Sequence, residues 1–296
     1  MTNQIDNALA IQFADQVHLN GQQTKTRTRD KVNVVPMSTQ DMTVETLDSL
    51  EAIEITSRHQ KTQGQDIVHG RRRLRMREFR ATIYLDNKDE VGVLIDPERN
   101  YSAAVAKAMY RQFDRLVVEA AFASVYTGKD MTTLVTAAND GVATVNATAG
   151  LTYEKLLEIG QGYMDYEIGT EVEEDMFLGI GGEEHTDLMQ ETELTSGDFS
   201  REFVIDKGRI TRAAGQQLIH FGNRVANPIL PLNSTTRDCV SFASGAIQVG
   251  LAKDAEVYMD IRADLNRAKQ VQAVLMLGAV RKEGRRVQKV QTTHTP

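Results

Sequence analysis

The sequence predicts an α+β protein, on three observations. An arginine-rich extended segment leads directly into one long amphipathic helix, short strands alternate with helices in the middle of the chain, and long strands follow near its end. A chain of 296 residues is long enough for roughly two domains of about 100 to 200 residues each. We therefore expect two lobes of different construction.

The composition excludes several classes of protein. Hydrophobic residues make up 41% of the chain, yet no run approaches the ~18 consecutive apolar residues of a membrane helix. The formal net charge of −7 argues against a general nucleic-acid binder, because such proteins need a basic surplus to displace counterions from phosphates. The single cysteine, Cys239, rules out an internal disulfide and is predicted to be a small, half-buried residue near a strand.

The beginning of the chain predicts an arm. Ile5, Leu9, Phe13 and Val17 recur at helical spacing, and a polar run follows them. These residues offer too little apolar surface for a core of their own. We therefore expect the arm to be disordered or to lie on a partner.

The next segment predicts a long hairpin. A strand over Met42–Ile55 is expected to pair with residues 68–85, with the tip of the hairpin within 59–70. Leu74 and Met76 alternate with arginines, as in a strand with one apolar and one charged face. Because an isolated hairpin is only marginally stable in water, we expect this one to depend on other contacts.

A long helix is predicted to follow. The sequence Asp96-Pro97-Glu98 combines an N-cap, a proline at the first helical position and an acid at the positive end of the helix dipole. The helix should run to about Tyr126, and Gly128 should end it. Val118 and Phe122 lie off the apolar stripe and predict a second contact side, in this subunit or in a neighbouring one. The stripe comprises Val105, Met109, Phe113, Leu116, Ala120 and Ala123, and the opposite side carries Lys107, Arg111 and Asp114.

The rest of the chain predicts an α/β lobe and then long strands. Residues 130–150 are small and nearly uncharged, which indicates a crossing between lobes with a turn at 139–141. A helix over 151–165 is expected to point Leu156, Leu157 and Ile159 inward. The remaining predicted elements are a strand at Met176–Ile180, a helix at His185–Glu191, a strand at Leu218–Phe221, and long strands over 257–264 and 269–280 before a turn at 283–284.

No motif for catalysis or metal binding stands out. The six histidines are scattered, without an HExxH pair or cysteine partners. Glu183 and Glu184 precede His185, but two acids at this point more often stabilise the first turn of a helix. The loop Gly179–Gly182 lacks the GxGxxG and GKS/T signatures. The sequence therefore predicts no catalytic residue, cofactor or metal, and an α/β enzyme that uses this loop is the weaker alternative.

Two charged blocks of opposite sign stand far apart in the sequence. The basic block has three interpretations: a solvated strand face, a contact with nucleic acid, or a contact between subunits. The second is disfavoured because aromatic residues for base stacking are missing, and we favour the third, through bidentate Arg–carboxylate pairs. The predicted inter-subunit residues are Arg71, Arg72, Arg73, Arg75 and Arg77 on one side and Glu171, Glu173 and Glu174 on the other.

The order of segments resembles that of a known family. The chain contains, in order, TSRH, GRRR, LIDPERNY, ASVYTG, LTSGDFS, FGNRV and LMLGAVRKEGRRV. In this order they resemble the phage capsid protein family, the major capsid proteins of tailed bacteriophages with the Hong Kong 97-like fold. The resemblance implies an N-terminal arm (1–41), an extended loop (42–95), a peripheral domain (96–149 and 238–296) with a spine helix (96–126), and an axial domain (150–237).

The resemblance also implies a function. Copies of the chain would form pentamers and hexamers in an icosahedral shell around double-stranded DNA, with no catalysis, no cofactor, no membrane and no sequence-specific DNA contact. A separate scaffolding protein and a portal are implied as partners, and a decoration protein is allowed. The protein would be made in the host bacterial cytoplasm and end in the virion. The alternative within the virion is a decoration or tail protein.

Overall fold

The structure is a computed structural model, and it describes residues 23–58, 61, 64–85, 97–146, 149–169, 175–191, 205–206, 208–222 and 228–293. Several predictions fall outside these residues. They are the arm helix with Ile5, Leu9, Phe13 and Val17, the cap at Asp96, the acids Glu171, Glu173 and Glu174, and part of the hairpin tip.

The described residues form a mixture of helices and sheets, which confirms the α+β class. The helices are α1 (Pro97–Phe122), α2 (Tyr153–Met164) and α3 (Gly182–Gln190), and a 3-10 turn spans Arg29–Lys31. The strands are β1 (Asn33–Pro36), β2 (Asp41–Leu47), β3 (His69–Arg75), β4 (Arg77–Leu85), β5 (Val125–Thr127), β6 (Thr133–Val135), β7 (Ala143–Val145), β8 (Met176–Ile180), β9 (Ile205–Asp206), β10 (Arg209–Ile210), β11 (Arg212–Ala213), β12 (Gln216–His220), β13 (Leu232–Asn233), β14 (Thr236–Ala243), β15 (Ile247–Arg262), β16 (Ala268–Arg281) and β17 (Val287–Thr293).

The strands of the described residues are arranged in separate sheets. One has the order β1-β15-β16-β4, a second has the order β2-β3-β5-β6, and β9 pairs with β10. The largest has the order β11-β12-β8-β14-β17-β7, and β13 pairs with β14. By contact, the chain divides into a smaller unit with Glu78–Tyr110 and Lys253–Leu275, and a larger unit with Thr26–Arg77, Arg111–Ala252 and Met276–Pro296. α1, β15 and β16 each contribute residues to both units.

The largest sheet forms the core of the larger unit. All residues of β8 are buried, as predicted for this strand; β8 pairs parallel with β12 and antiparallel with β14. α2 is bound to the sheet by a hydrogen bond between the hydroxyls of Tyr163 and Ser241 (2.9 Å). Leu156 and Ile159 of α2 are buried as predicted, but Leu157 is 50% exposed. The prediction for Leu157 was wrong because it follows Leu156 directly and so lies about 100° further round the helix.

The hairpin is shorter than predicted. β2 and β3 pair antiparallel from Asp41 opposite Arg75 to Leu47 opposite His69. Residues 48–56 form no strand, and β4 joins β16 instead of β2. The apolar residues of the predicted outer strand remain exposed, so no buried face fixes a register for them.

A small apolar cluster holds the paired part of the hairpin. Leu74 is fully buried and packs with Met37, Val44, Val125 and Val280. A β-carbon at Gly278 of β16 would lie 2.3 Å from the carbonyl oxygen of Arg75, so glycine is needed where β16 approaches β3. The apolar edge of β3 is therefore buried within the chain.

α1 ends earlier than predicted and buries the predicted stripe as far as Ala120, whereas Ala123, the last predicted member of the stripe, lies beyond the end of the helix and is exposed. Val105, Met109, Phe113 and Leu116 are all buried, and the burial of Val118 confirms a second contact side within the chain. The helix ends at Phe122 instead of Tyr126, because Val125–Thr127 forms β5 and pairs with β6. Valine, tyrosine and threonine all favour strands.

The described end of the arm binds its own chain. Asp114, which we expected on the exposed side of the helix, is fully buried. Its carboxylate accepts hydrogen bonds from the backbone N–H groups of Arg27 and Thr28 and from the Thr28 hydroxyl (2.7–3.1 Å). Strand β1 then pairs parallel with β15. The expectation of an arm without contacts in its own chain is therefore wrong for this part.

Replacing Asp114 by alanine should detach this part of the arm. The substitution leaves the buried N–H and hydroxyl groups of Thr28 without their acceptor, which costs about 1–3 kcal/mol in the free energy of unfolding. Urea unfolding and trypsin cleavage after Lys31 measure the effect, with the exposed Asp130→Ala as control. Unchanged protection of Lys31 in Asp114→Ala would contradict this account.

Candidate functional site

The base of the hairpin is the point where distant segments of the larger unit meet. A turn over residues 136–142 brings Asp140 there, with its N–H donating to the carbonyls of Thr136 (3.0 Å) and Ala137 (3.2 Å). Gly141 has a φ of +91°, which glycine adopts at low cost. The turn predicted at 139–141 is thus confirmed, but β6 and β7 on its two sides belong to different sheets.

Asp140 binds two arginines at this point, and we call the three residues the buried ion cluster. Its carboxylate accepts two hydrogen bonds from the Nη1 and Nη2 atoms of Arg72 (2.7 Å each) and a third from the Nε of Arg281 (2.8 Å). The exposed fraction of the side chains is 12% for Arg72, 8% for Asp140 and zero for Arg281. The cluster therefore connects β3, the 136–142 turn and β16 below the surface.

Arg281 also binds the end of α1. Its Nη1 donates to the carbonyl oxygens of Ala121 (2.6 Å) and Ala123 (3.2 Å). The last carbonyls of a helix have no partner within it, and a cation is favoured at this negative end of the dipole. Arg281 thus fixes where α1 ends and where β5 begins.

Burial and ion pairing shift the pKa values of the cluster residues in opposite directions. Burial raises the pKa of the Asp140 carboxyl, and the hydrogen bonds from Arg72 and Arg281 lower it by more, so the pKa lies below its ordinary value of 3.8. Burial lowers the pKa of the Arg281 guanidinium, and Asp140 partly offsets this. Asp140 is therefore ionised at neutral pH, where its charge compensates the buried guanidinium.

The other arginines of the basic block lie on the surface of the hairpin. Arg71 binds Glu45 (3.1 Å), Arg73 binds Asp41 (2.5 Å) and Arg77 binds Glu119 (2.8 Å). The exposed Arg75 has no hydrogen bond or ion pair with any described residue. Since four of the five predicted arginines bind acids of their own chain, pairing with another copy stays a prediction, as it does for Glu171, Glu173 and Glu174.

The outer part of the hairpin exposes apolar side chains. Ile55 is 79% exposed and Leu47 and Val68 are each 66% exposed, an unusual density of apolar residues on one surface segment. These side chains are exposed to water in the single chain. The outer part of the hairpin is therefore a candidate surface for contact with another molecule. The outer apolar set comprises Leu47, Leu50, Ile53, Ile55, Ile67 and Val68.

The residues considered for catalysis have structural partners. The carboxylate of Glu184 accepts hydrogen bonds from the Gly181 N–H (3.0 Å), the Arg237 guanidinium (3.0 Å) and the Thr292 hydroxyl (3.0 Å). The anion position at the start of α3 is therefore filled by the chain's own carboxylate. The Nε2 of His185 accepts a hydrogen bond from the backbone N–H of Ile210 (3.3 Å).

The remaining candidates also have packing roles. A β-carbon at Gly179 would lie 2.5 Å from the ring of Phe221, so this glycine allows close packing. Cys239 is fully buried in β14, deeper than predicted, and burial raises the pKa of its thiol. Among the described residues no group of three or more histidines, cysteines or acids is placed to hold a metal ion. None of the described helices has the length and apolarity to cross a bilayer.

Replacing Asp140 by asparagine should destabilise the chain strongly. The substitution leaves the fully buried Arg281 without a compensating charge, so the free energy of unfolding should fall by about 3–5 kcal/mol. Asp41→Asn is the matched control, because it removes a carboxylate from another arginine of β3 at the surface. Equal losses in the two variants, measured by urea unfolding, would contradict the role of the cluster.

The contribution of Asp140 should depend on pH. Because its pKa in the folded chain lies below 3.8, its stabilising effect is complete above that value and is lost as the pH falls through the folded pKa. The stability difference between the native chain and Asp140→Asn should therefore be constant from about pH 5 to 7 and shrink below 3.8. If the stability difference between the two chains grew as the pH fell, it would contradict the lowered pKa of Asp140.

The chain is similar in structure to the capsid proteins of several phages. The head of Helicobacter pylori bacteriophage KHP40 matches with a TM-score of 0.73 at 10% identity, over 100% of this chain and 98% of that one. The capsid of cyanophage P-SCSP1u matches with a TM-score of 0.70 at 14% identity, over 98% of this chain and 95% of that one. Mycobacterium phage Che8 matches with a TM-score of 0.70 at 13% identity, over 95% and 96% of the two chains.

The sequence itself identifies the family. No curated protein matches the chain at a significant level. The family model described as phage capsid protein matches residues 5–294. Together with the shared fold, this confirms the resemblance inferred from the order of the motifs. The chain belongs to the phage capsid protein family and has the Hong Kong 97-like fold of its structural relatives.

Proposed function

We propose that copies of this chain assemble as pentamers and hexamers into a closed icosahedral shell that encloses the double-stranded DNA genome of a tailed phage. Family membership supports a shell-forming role. The observation that supports it most directly is a hairpin fixed at its base by the buried ion cluster and apolar at its outer part. An exposed apolar surface of this kind marks a site where a second molecule binds.

The mechanism of assembly is repetition of weak contacts. Each copy in a ring contributes the same surface, so contacts that are individually weak add up around a closed structure. A base held by buried ions keeps the paired strands of the hairpin in place before a neighbour binds, which reduces the entropy lost on binding. The role is structural, and the residues described above do not need to perform chemistry.

The other partners follow from this role. A separate scaffolding protein guides the curvature of the shell, a portal occupies one vertex, and a decoration protein is compatible with the outer surface. The formal net charge of −7 suits a wall that encloses DNA without binding it tightly. The chain is made in the host bacterial cytoplasm and ends in the virion.

Assembly itself tests the proposal. The chain, expressed with and without its scaffolding protein and examined by negative-stain electron microscopy, should give closed polyhedral particles or pentamers and hexamers. Tubes or open rings would instead indicate a tail or decoration protein. A monomer under every assembly condition would overturn the proposal.

Placing aspartates at Ile53 and Ile55 should prevent shells without unfolding the chain. Both side chains are exposed, so the monomer loses no core, whereas an apolar side chain buried in an interface contributes ~1.5–3 kcal/mol. Shell yield, measured by sedimentation velocity, should fall by about tenfold or more.

The control for this test is Gln65→Asp. It adds a negative charge to the same exposed segment without removing an apolar group. Normal shells from the double aspartate variant would show that the outer apolar set does not form the contact. The same loss of shells in Gln65→Asp would attribute the effect to charge alone.

A further inference from the structure

A groove lies beside the base of the hairpin, and we call it the arginine groove. It has a volume of about 170 Å³ and lies entirely within the larger unit. Its rim is charged and its floor is apolar. The rim consists of Arg73, Arg75, Arg77, Glu119 and Tyr126, and the floor includes Leu116, Ala120, Val125 and Val280.

The three rim arginines differ in their binding partners. Arg73 pairs with Asp41 and Arg77 pairs with Glu119, both on the surface. Arg75 lies between them, is exposed, and forms no hydrogen bond or ion pair with a described carboxylate, although its charge helps to lower the pKa of the Asp41 carboxyl. Arg75 is therefore the guanidinium of this rim that is available to a further carboxylate.

The backbone of Arg75 is held in place, and its side chain is exposed. Residue 75 pairs with Asp41 across the hairpin, and its carbonyl oxygen lies against Gly278 of β16. Its neighbours in the chain, Leu74 and Met76, pack in the apolar cluster. A fixed backbone with an exposed guanidinium suits recognition, because only the side chain has to become ordered when a ligand binds.

The chemistry of the groove specifies its ligand. A cationic rim over an apolar floor fits a short segment in which an apolar residue is flanked by carboxylates. The sequence contains such a segment at Glu171-Val172-Glu173-Glu174. In a chain with a net charge of −7, this acidic block is complementary in charge to the arginine rim of the groove.

We propose that Arg75 and the arginine groove bind the acidic segment 171–174 of a second copy of this chain. This inference rests on the proposed shell and names one of its contacts. Arg72 is not part of the contact, because it belongs to the buried ion cluster. Reversing the whole arginine block would therefore unfold the hairpin base, whereas Arg75 alone tests recognition.

The first experiment reverses Arg75. Shell yield of Arg75→Glu should fall by about tenfold, with unfolding by urea unchanged, because a favourable contact becomes a repulsive one in every copy. Arg80→Glu is the matched control, since Arg80 is also exposed but binds Glu78 in its own strand. Reversing residues 171, 173 and 174 to lysine in the Arg75→Glu chain should restore shells.

The second experiment tests whether the contact joins two copies. A chain with Arg75→Cys and Glu173→Cys, oxidised after assembly, should give dimers and higher multiples on a denaturing gel. A disulfide within one chain would migrate as monomer and overturn the proposal. The buried Cys239 is replaced by serine in this chain so that it cannot take part.

The outcomes separate this inference from the shell itself. If the unaltered chain forms no shells, the proposed function fails. If it forms shells and Arg75→Glu forms them equally well, only this inference fails. Normal shells of Arg75→Glu with weaker, salt-dependent binding of DNA would assign Arg75 to phosphate contacts and would likewise overturn it.

Discussion

The carboxylate of Asp140 is the constraint on which the base of the hairpin depends. It accepts three hydrogen bonds from two guanidinium groups, one of which, that of Arg281, has no exposed surface. Arg281 in turn binds the last carbonyls of α1. A buried charge of this kind is tolerated only with a compensating partner, so the hairpin strand, the helix end and β16 keep one arrangement.

This arrangement explains how a marginal hairpin becomes a usable contact surface. Two strands alone are scarcely stable in water, but here Leu74 is buried in an apolar cluster and Arg72 in an ion cluster at the same end. The outer residues 48–56 form no strand and expose apolar side chains. The chain thus separates a fixed base from an outer part whose apolar surface suits contact with a neighbouring capsid subunit.

The sequence predicted the elements better than the contacts between them. The stripe of α1, the strand β8 and the long final strands follow from periodicity, which a single segment contains. The ion cluster does not, because Arg72 and Arg281 are 209 residues apart and each is part of an ordinary basic run. Asp114 was misplaced for the same reason: its helical position predicts exposure, and only the returning arm buries it.

The most direct test of this account is an electron cryomicroscopy reconstruction of the assembled particles. The account predicts a closed icosahedral shell in which the outer apolar set of each copy is buried against an adjacent copy, while Arg72, Asp140 and Arg281 remain in contact within each chain. A closed shell in which residues 47–68 stay in solvent would contradict the role given to the hairpin, and particles other than closed shells would contradict the function.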